Sequence, residues 1–193
     1  MVKLVKNFLD IASVKELTNW TLSNYTDKTL FIDAHMGPED TVFSNRFATP
    51  ITLSSGEVIK SNDKFDYPEI AYAVQEKINK FLRLPEDTYL APIGKDGIST
   101  NITLPTGTVA EHIDPAWVEG YFTIHCNLIT QKPASGAITV IDGNPFEPEE
   151  GDMLIYAVSV HPHGVTAVEG DMPRVLWTFG FCVIPPVAFE IFK

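Results

Sequence analysis

The sequence is short of cysteine, short of positive charge and without a long apolar run, and each shortage narrows what the chain does. Only two cysteines occur, Cys126 and Cys182, each inside an apolar stretch and with no CxxC pairing, so a disulfide framework or zinc site is not expected and both read as reduced core residues. Lys and Arg total 14 against 25 Asp and Glu, giving a formal net charge of -11. A surface of that sign repels polyanions, which argues against non-specific nucleic-acid binding and against an anionic membrane. No apolar run spans a bilayer, and the N-terminal MVKLVKNFLDIASVKEL lacks a continuous hydrophobic segment and a small-residue cleavage site. The expectation is a soluble, cytoplasmic protein.

A length of 193 residues suits one compact domain over 1–193. Helical and loop support is expected in 1–87 and a β core in 88–193. Ser13 followed by Glu16 has capping-box spacing and predicts a helix over Ser13–Tyr25. A second helix is predicted over Tyr67–Leu84, where Ile70, Ala73, Val74, Ile78, Phe81 and Leu82 recur at helical spacing with Pro85 just beyond. Between them TLFIDAHMG and TPITLSSGEVIK read as strands or loop strands, and the poorly patterned stretch from Leu30 to Lys64 is expected to supply substrate-facing loops. From Thr88 onward the helical period disappears. TYLAPI, STNITLP, TVAEHID, GYFTIHCNLIT, GAITVIDG, GDMLIYAVSV, GVTAV and RVLWTFGFCVI are short β runs broken by turns, which predicts a mainly β fold, a jelly roll carrying N-terminal helices on one side.

The chemistry lies in the second half. In TVAEHIDP, strand alternation places Ala110, His112 and Asp114 on one face, with Pro115 ending the strand. A bare HxD is a weak signal. A later strand returns a second imidazole, His161 or His163, which share strand parity, and two imidazoles with one carboxylate form the facial triad of non-haem Fe(II) oxygenases. Arg174 opens the last apolar run; it is either a hairpin-end surface residue or an inward-facing anion ligand. Trp117 follows the ligand strand as a pocket-wall or core residue, Trp177 reads as core, and His35 has no motif around it.

In the order PEEGDMLIYAVSVHPHGVTAVEGDMPR, the residues Pro148, Gly151, His163, Val165, Val168, Gly170 and Arg174 fill a pattern that resembles the iron- and 2-oxoglutarate-dependent dioxygenases, especially their prolyl-hydroxylase-like and aspartyl-hydroxylase-like branches. The resemblance covers roughly residues 102–183. It implies a double-stranded β-helix, the jelly roll of that superfamily, with Fe(II) held by His112, Asp114 and His163. His163 is preferred over His161 because it directly precedes Gly164 and Val165 and stands eleven residues before Arg174. Arg174 then takes the far carboxylate of 2-oxoglutarate. The family's hydroxyl residue two positions later is here Leu176, so Thr178 or Tyr156 is expected to substitute. His125 and Asn101, with Tyr89 as a weaker choice, are expected beside the cosubstrate. The implied activity is hydroxylation, with dioxygen and 2-oxoglutarate, of a C–H bond in a peptidyl residue, an amino acid or a small metabolite. Asp114 argues against halogenation, since halogenating relatives lack that carboxylate. The rival is a cupin-like metal-binding jelly roll without oxygenase activity, which has no need of Arg174.

Overall fold

The computed structural model describes residues 1–33, 43–49 and 66–193. His35 and most of TPITLSSGEVIK, with the greater part of 30–64, lie outside the described residues. In chain order the elements are β1 (Val2–Val5), α1 (Ile11–Asn24), β2 (Ile32–Asp33), β3 (Phe43–Ala48), α2 (Glu69–Leu82), β4 (Tyr89–Leu90), β5 (Ile98–His112), β6 (Phe122–Gln131), β7 (Ser135–Gly136), β8 (Thr139–Ile141), β9 (Asn144–Phe146), β10 (Met153–Ala157), β11 (His163–Val165), β12 (Val168–Glu169), β13 (Arg174–Val183) and α3 (Pro185–Ile191). The main sheet runs β1-β10-β6-β13-β5-β11-β8-β9, with β3 added along β5 and β4 along β13, and every pairing is antiparallel. It curls into a half-barrel of double-stranded β-helix form. No helix among the described residues is long and apolar enough to cross a membrane.

The sheet's two faces differ in chemistry. One face carries Ile98, Ile102, Ile124, Cys126, Leu128, Met153, Ile155, Val175, Trp177, Phe179 and Phe181, all buried against the helices through Val14, Leu17, Ala71, Val74 and Ile78. Strand alternation then sends the intervening residues of β5, β6 and β13 to the concave face, which carries the polar Ser99, Asn101, Thr103, His125, Asn127, Arg174 and Thr178 together with the apolar Leu176 and Ile129. These three strands are buried on both faces, and the large apolar cluster lies on one of them. The buried polar face is where chemistry has to be sought.

Several local features differ in detail from the sequence expectation. Helix α1 starts two residues early, because Asp10 rather than Ser13 is the N-cap: its Oδ1 accepts from the backbone N–H groups of Ala12 and Ser13, and the Ser13 hydroxyl donates to Oδ2. In α2 the buried stripe is Ala71, Val74, Ile78 and Leu82, so Ala73 and Phe81 face outward, Phe81 meeting Phe8 edge-on at 5.5 Å. A short C-terminal helix, α3, forms where no further helical period is expected; Pro185 and Pro186 fix its first turn. STNITLP and TVAEHID are one strand, β5, with an irregularity at Pro105–Gly107, where Thr106 has φ +69°. A Cβ at Gly107 would stand 2.7 Å from the Ser44 carbonyl O, so glycine is required for β3 to follow β5 round this bend.

Candidate metal centre and anion pocket

β5 ends at His112, and Asp114 lies just beyond it, held by its backbone N–H donating to the Val158 carbonyl at 3.0 Å. On the facing strand, β11, His163 is the cross-strand partner of His112. That close pairing depends on Gly164, where a Cβ would meet the Val109 carbonyl O at 2.8 Å. His112, Asp114 and His163 thus each offer one donor atom, all within 4.8 Å of one another. His112 Nε2 is 3.4 Å and His163 Nε2 3.9 Å from the Asp114 carboxylate.

Both imidazoles are oriented from behind. His112 Nδ1 donates to the Ala110 carbonyl at 2.9 Å and His163 Nδ1 to the His161 carbonyl at 3.0 Å. A carbonyl only accepts, so each Nδ1 carries a proton and each Nε2 is directed toward Asp114, the position from which it can serve a cation. His161 is engaged elsewhere: its Nδ1 is 2.6 Å from Asp142 Oδ2 and its Nε2 2.9 Å from the Met1 amine. Of the two histidines that share strand parity, only His163 reaches the cluster. Ala110, expected on the ligand face, is exposed and contributes its carbonyl instead.

Electrostatics prepare the cluster for a cation. Burial opposes ionisation of Asp114, but the His112 hydrogen bond and the neighbouring His125 and His163 bring its pKa down to about 2. Burial lowers His163 to about 4, so it is neutral and available as a lone-pair donor. For His112 burial also pulls downward, yet the Asp114 contact prevails and its pKa is raised. His125 is pushed down, chiefly by burial. Two imidazoles and a carboxylate in a partly buried cluster are a donor set suited to a first-row divalent ion, with His112 giving up its Nε2 proton when the ion binds.

Beside this cluster the polar face contains buried atoms without partners. Asn101 Oδ1, Thr103 Oγ1, His125 Nε2, Asn127 Oδ1 and Arg46 Nε all lack a hydrogen bond. Unpaired buried polar groups are costly, and here they converge on one face, which is the signature of a cradle for a polar small molecule. Arg174 is 4% exposed, donates to the Thr139 hydroxyl at 3.2 Å, and makes no ion pair among the described residues. Burial brings its pKa down to about 10, with Arg46 adding to the fall. Tyr156 links the two regions: its ring meets His163 edge-on at 5.1 Å, its hydroxyl accepts from Asn127 Nδ2 at 3.1 Å, and Arg174 acts on it electrostatically.

Of the residues singled out from sequence, His112, Asp114, His163, His125, Asn101, Tyr156 and Arg174 gather at this site. Thr178 is on the same face but four residues along β13 from Arg174, about 13 Å away; the hydroxyl that meets the guanidinium belongs to Thr139. Tyr89 is 58% exposed and packs on Tyr121. Trp117 borders a small cluster with Ala91, Ile93 and Cys182, and Trp177 is core. Sequence reasoning missed Thr139, Thr103 and Arg46. Arg46 had no signal, because FSNRFA carries no clear strand pattern.

The donor set therefore fits Fe(II), and the buried Arg174 guanidinium, without a counter-ion among the described residues, fits a carboxylate such as one of those of 2-oxoglutarate. No protein-family model matches the chain, and no curated protein matches it in sequence. Solved structures do resemble it. A prolyl hydroxylase from Trichoplax adhaerens, in complex with a hypoxia inducible factor peptide fragment, superposes with TM-score 0.66 at 13% identity, over 96% of this chain and 84% of that one. The viral collagen prolyl hydroxylase of Paramecium Bursaria Chlorella virus-1, in a 2-oxoglutarate complex, gives TM-score 0.62 at 12% identity, over 95% and 96%. HygX from Streptomyces hygroscopicus, with nickel and 2-oxoglutarate bound, gives 0.62 at 9% identity, over 94% and 82%. At these identities the likeness is one of fold: the chain has the double-stranded β-helix of the prolyl-hydroxylase-like structures.

Proposed function

We propose that this protein is an Fe(II)- and 2-oxoglutarate-dependent dioxygenase that hydroxylates an unactivated C–H bond, with residues 1–193 acting as one oxygenase domain. The observation that carries the reading is the convergence of His112, Asp114 and His163 within 4.8 Å on the same concave surface as the buried, unpaired Arg174. A β-roll that merely binds metal needs the first feature and has no use for the second.

His112 Nε2, His163 Nε2 and one Asp114 oxygen would hold the iron. With 2-oxoglutarate and dioxygen, bound Fe(II) supplies oxidising chemistry in which one oxygen atom converts 2-oxoglutarate to succinate and carbon dioxide and the other enters a substrate C–H bond as hydroxyl. The protein's own work is placement. The Ala110 and His161 carbonyls hold Nδ1 of both imidazoles, so each ring keeps its Nε2 directed at the metal position. Arg174, aimed by Thr139, takes the far carboxylate of 2-oxoglutarate in a site dry enough for a charge-assisted bond to be strong. Of the unsatisfied atoms nearby, His125 Nε2 is the one able to donate to a cosubstrate oxygen, while Asn101 Oδ1 and Asn127 Oδ1, which only accept, are left for ordered water. Asp114 would supply a carboxylate ligand to the iron in the place a halide would need, which favours hydroxylation over halogenation.

The relatives by fold include proteins whose bound partners are a peptide and the small molecule hygromycin B, so the substrate range spans a peptidyl residue, an amino acid and a small metabolite. The test is succinate formation with Fe(II), ascorbate and 2-oxoglutarate across peptides, amino acids and small metabolites. Turnover stimulated by one class supports the reading. No 2-oxoglutarate consumption under any condition, with iron bound, overturns it.

A further inference from the structure

The site contains a second guanidinium. β3 and β13 lie on opposite sides of β5, and at one level the three strands align Arg46, Thr103 and Arg174 as direct partners. Residues paired across neighbouring strands project to the same face, so both arginines enter the concave surface, their Cα atoms two strand spacings, about 10 Å, apart. The bulge at Asn45, with φ +44°, sets this register by shifting β3 against β5 between Ser44 and Arg46. Phe43 then spaces Arg46 from the metal cluster: the guanidinium carbon sits 4.6 Å above its ring, and the ring meets His112 edge-on at 5.6 Å.

Arg46 makes no hydrogen bond or ion pair among the described residues, and its Nε is buried without a partner. Burial brings its pKa down to about 10, against which the Asp114 carboxylate acts. Charge balance shows what is missing. In the loaded site, the ferrous ion and Arg174 are neutralised by Asp114 and the two carboxylates of 2-oxoglutarate. Arg46 is then left as one uncompensated positive charge, half-buried, across Phe43 from His112. A buried charge without a counter-ion is expensive, and a planar guanidinium matches a carboxylate most closely.

We infer that Arg46 is the substrate-anchoring residue and that the substrate carries a free carboxylate, which pairs with Arg46 while a carbon a few bonds away faces the metal. This rests on the proposed dioxygenase reading and makes it specific: the carboxylate belongs to a free amino or carboxylic acid, or to the C-terminal residue of a peptide, and an internal peptide residue lacks the group Arg46 requires.

The test uses the full chain loaded under nitrogen with Mn(II) and 2-oxoglutarate, and reads paramagnetic relaxation of added probes by NMR. The probes are propionate, L-valine and N-acetyl-L-valine, each beside its primary amide, with inorganic phosphate as a separate arm. At least one acid is expected to relax strongly, its amide at least tenfold less, and the enhancement is expected to vanish in Arg46→Met. Valine alone indicates a free amino acid, and N-acetylvaline a chain terminus. The acid-to-amide ratio is read on the unaltered protein, so it does not depend on the folding of the variant. Arg46→Lys, which keeps the charge and loses the fork, is expected to retain part of the effect. Equal relaxation of acids and amides, no relaxation of any acid, or selective relaxation of phosphate overturns the inference. Failure of Mn(II) and 2-oxoglutarate to bind at all is a different result, and it removes the dioxygenase reading first.

Discussion

Replacing Arg174 by methionine has two consequences of opposite sign, and their combination is diagnostic. In the free protein Arg174 is a buried cation with one neutral hydrogen bond, to Thr139, and a second guanidinium acting against it. Methionine has similar length and no charge, so the exchange removes a desolvated cation and is expected to leave stability unchanged or raised. In the complex the same exchange leaves a carboxylate of 2-oxoglutarate buried without its cation. Truncating one partner of a buried, hydrogen-bonded charge pair costs about 2–5 kcal/mol, a loss of affinity of roughly 30-fold to several thousand-fold. The assay is thermal unfolding of the metal-loaded protein with and without 2-oxoglutarate. At about one hundred times its Kd, a ligand adds about 2.7 kcal/mol, or roughly 5–10 °C for a chain of this size. Wild type is expected to show that rise. Arg174→Met is expected to start at the same or a higher temperature and to show none. A variant that unfolds earlier yet keeps the ligand-dependent rise would refute the reasoning, because Arg174 would then be a structural residue only.

Thr139→Val removes the hydroxyl that aims Arg174 without changing its volume; hydrogen bonds to charged groups are worth about 1.5–3 kcal/mol, so calorimetry is expected to show 2-oxoglutarate binding weakened roughly ten- to a hundredfold with metal binding intact. Gly164→Ala forces a Cβ to within 2.8 Å of the Val109 carbonyl, which separates β11 from β5; a cost of about 1–3 kcal/mol in stability and weakened metal binding are expected together. The pKa shifts also set the proton count of metal binding. Near pH 6 Asp114, held at about 2, is ionised and His163, held at about 4, is neutral, whereas His112 is raised and retains its proton. Metal affinity therefore falls as pH drops through the His112 range, and calorimetry in buffers of different ionisation enthalpy is expected to count about one proton released per metal; two or more would show that His163 also has to be discharged.

The β core was legible because its strands carry the β-branched and aromatic runs that the pattern from Thr88 to Val183 displays, and His112, Asp114, His163 and Arg174 were legible because fixed spacings on strands bring them to one face. Two kinds of feature were hidden. The bend at Pro105–Gly107 changes the parity of β5, so Asn101 and Thr103 face the site at odd positions while His112 faces it at an even one; alternation counted from one motif does not carry across such an irregularity. Arg46 and Thr139 belong to β3 and β8, a six-residue and a three-residue strand whose sequences contain little periodicity. Their roles arise from register with β5 and β11, which is a tertiary property. The short β1 was also invisible, since VKLV becomes a strand only by pairing with β10.

The most direct test is anaerobic calorimetric titration of Fe(II) into metal-free protein, comparing wild type with His163→Ala and His161→Ala. Because His163 turns Nε2 into the cluster while both nitrogens of His161 are bonded outside it, wild type and His161→Ala are expected to bind one equivalent, and His163→Ala to lose binding at the same concentrations. One-equivalent binding that survives His163→Ala and disappears with His161→Ala would contradict the account.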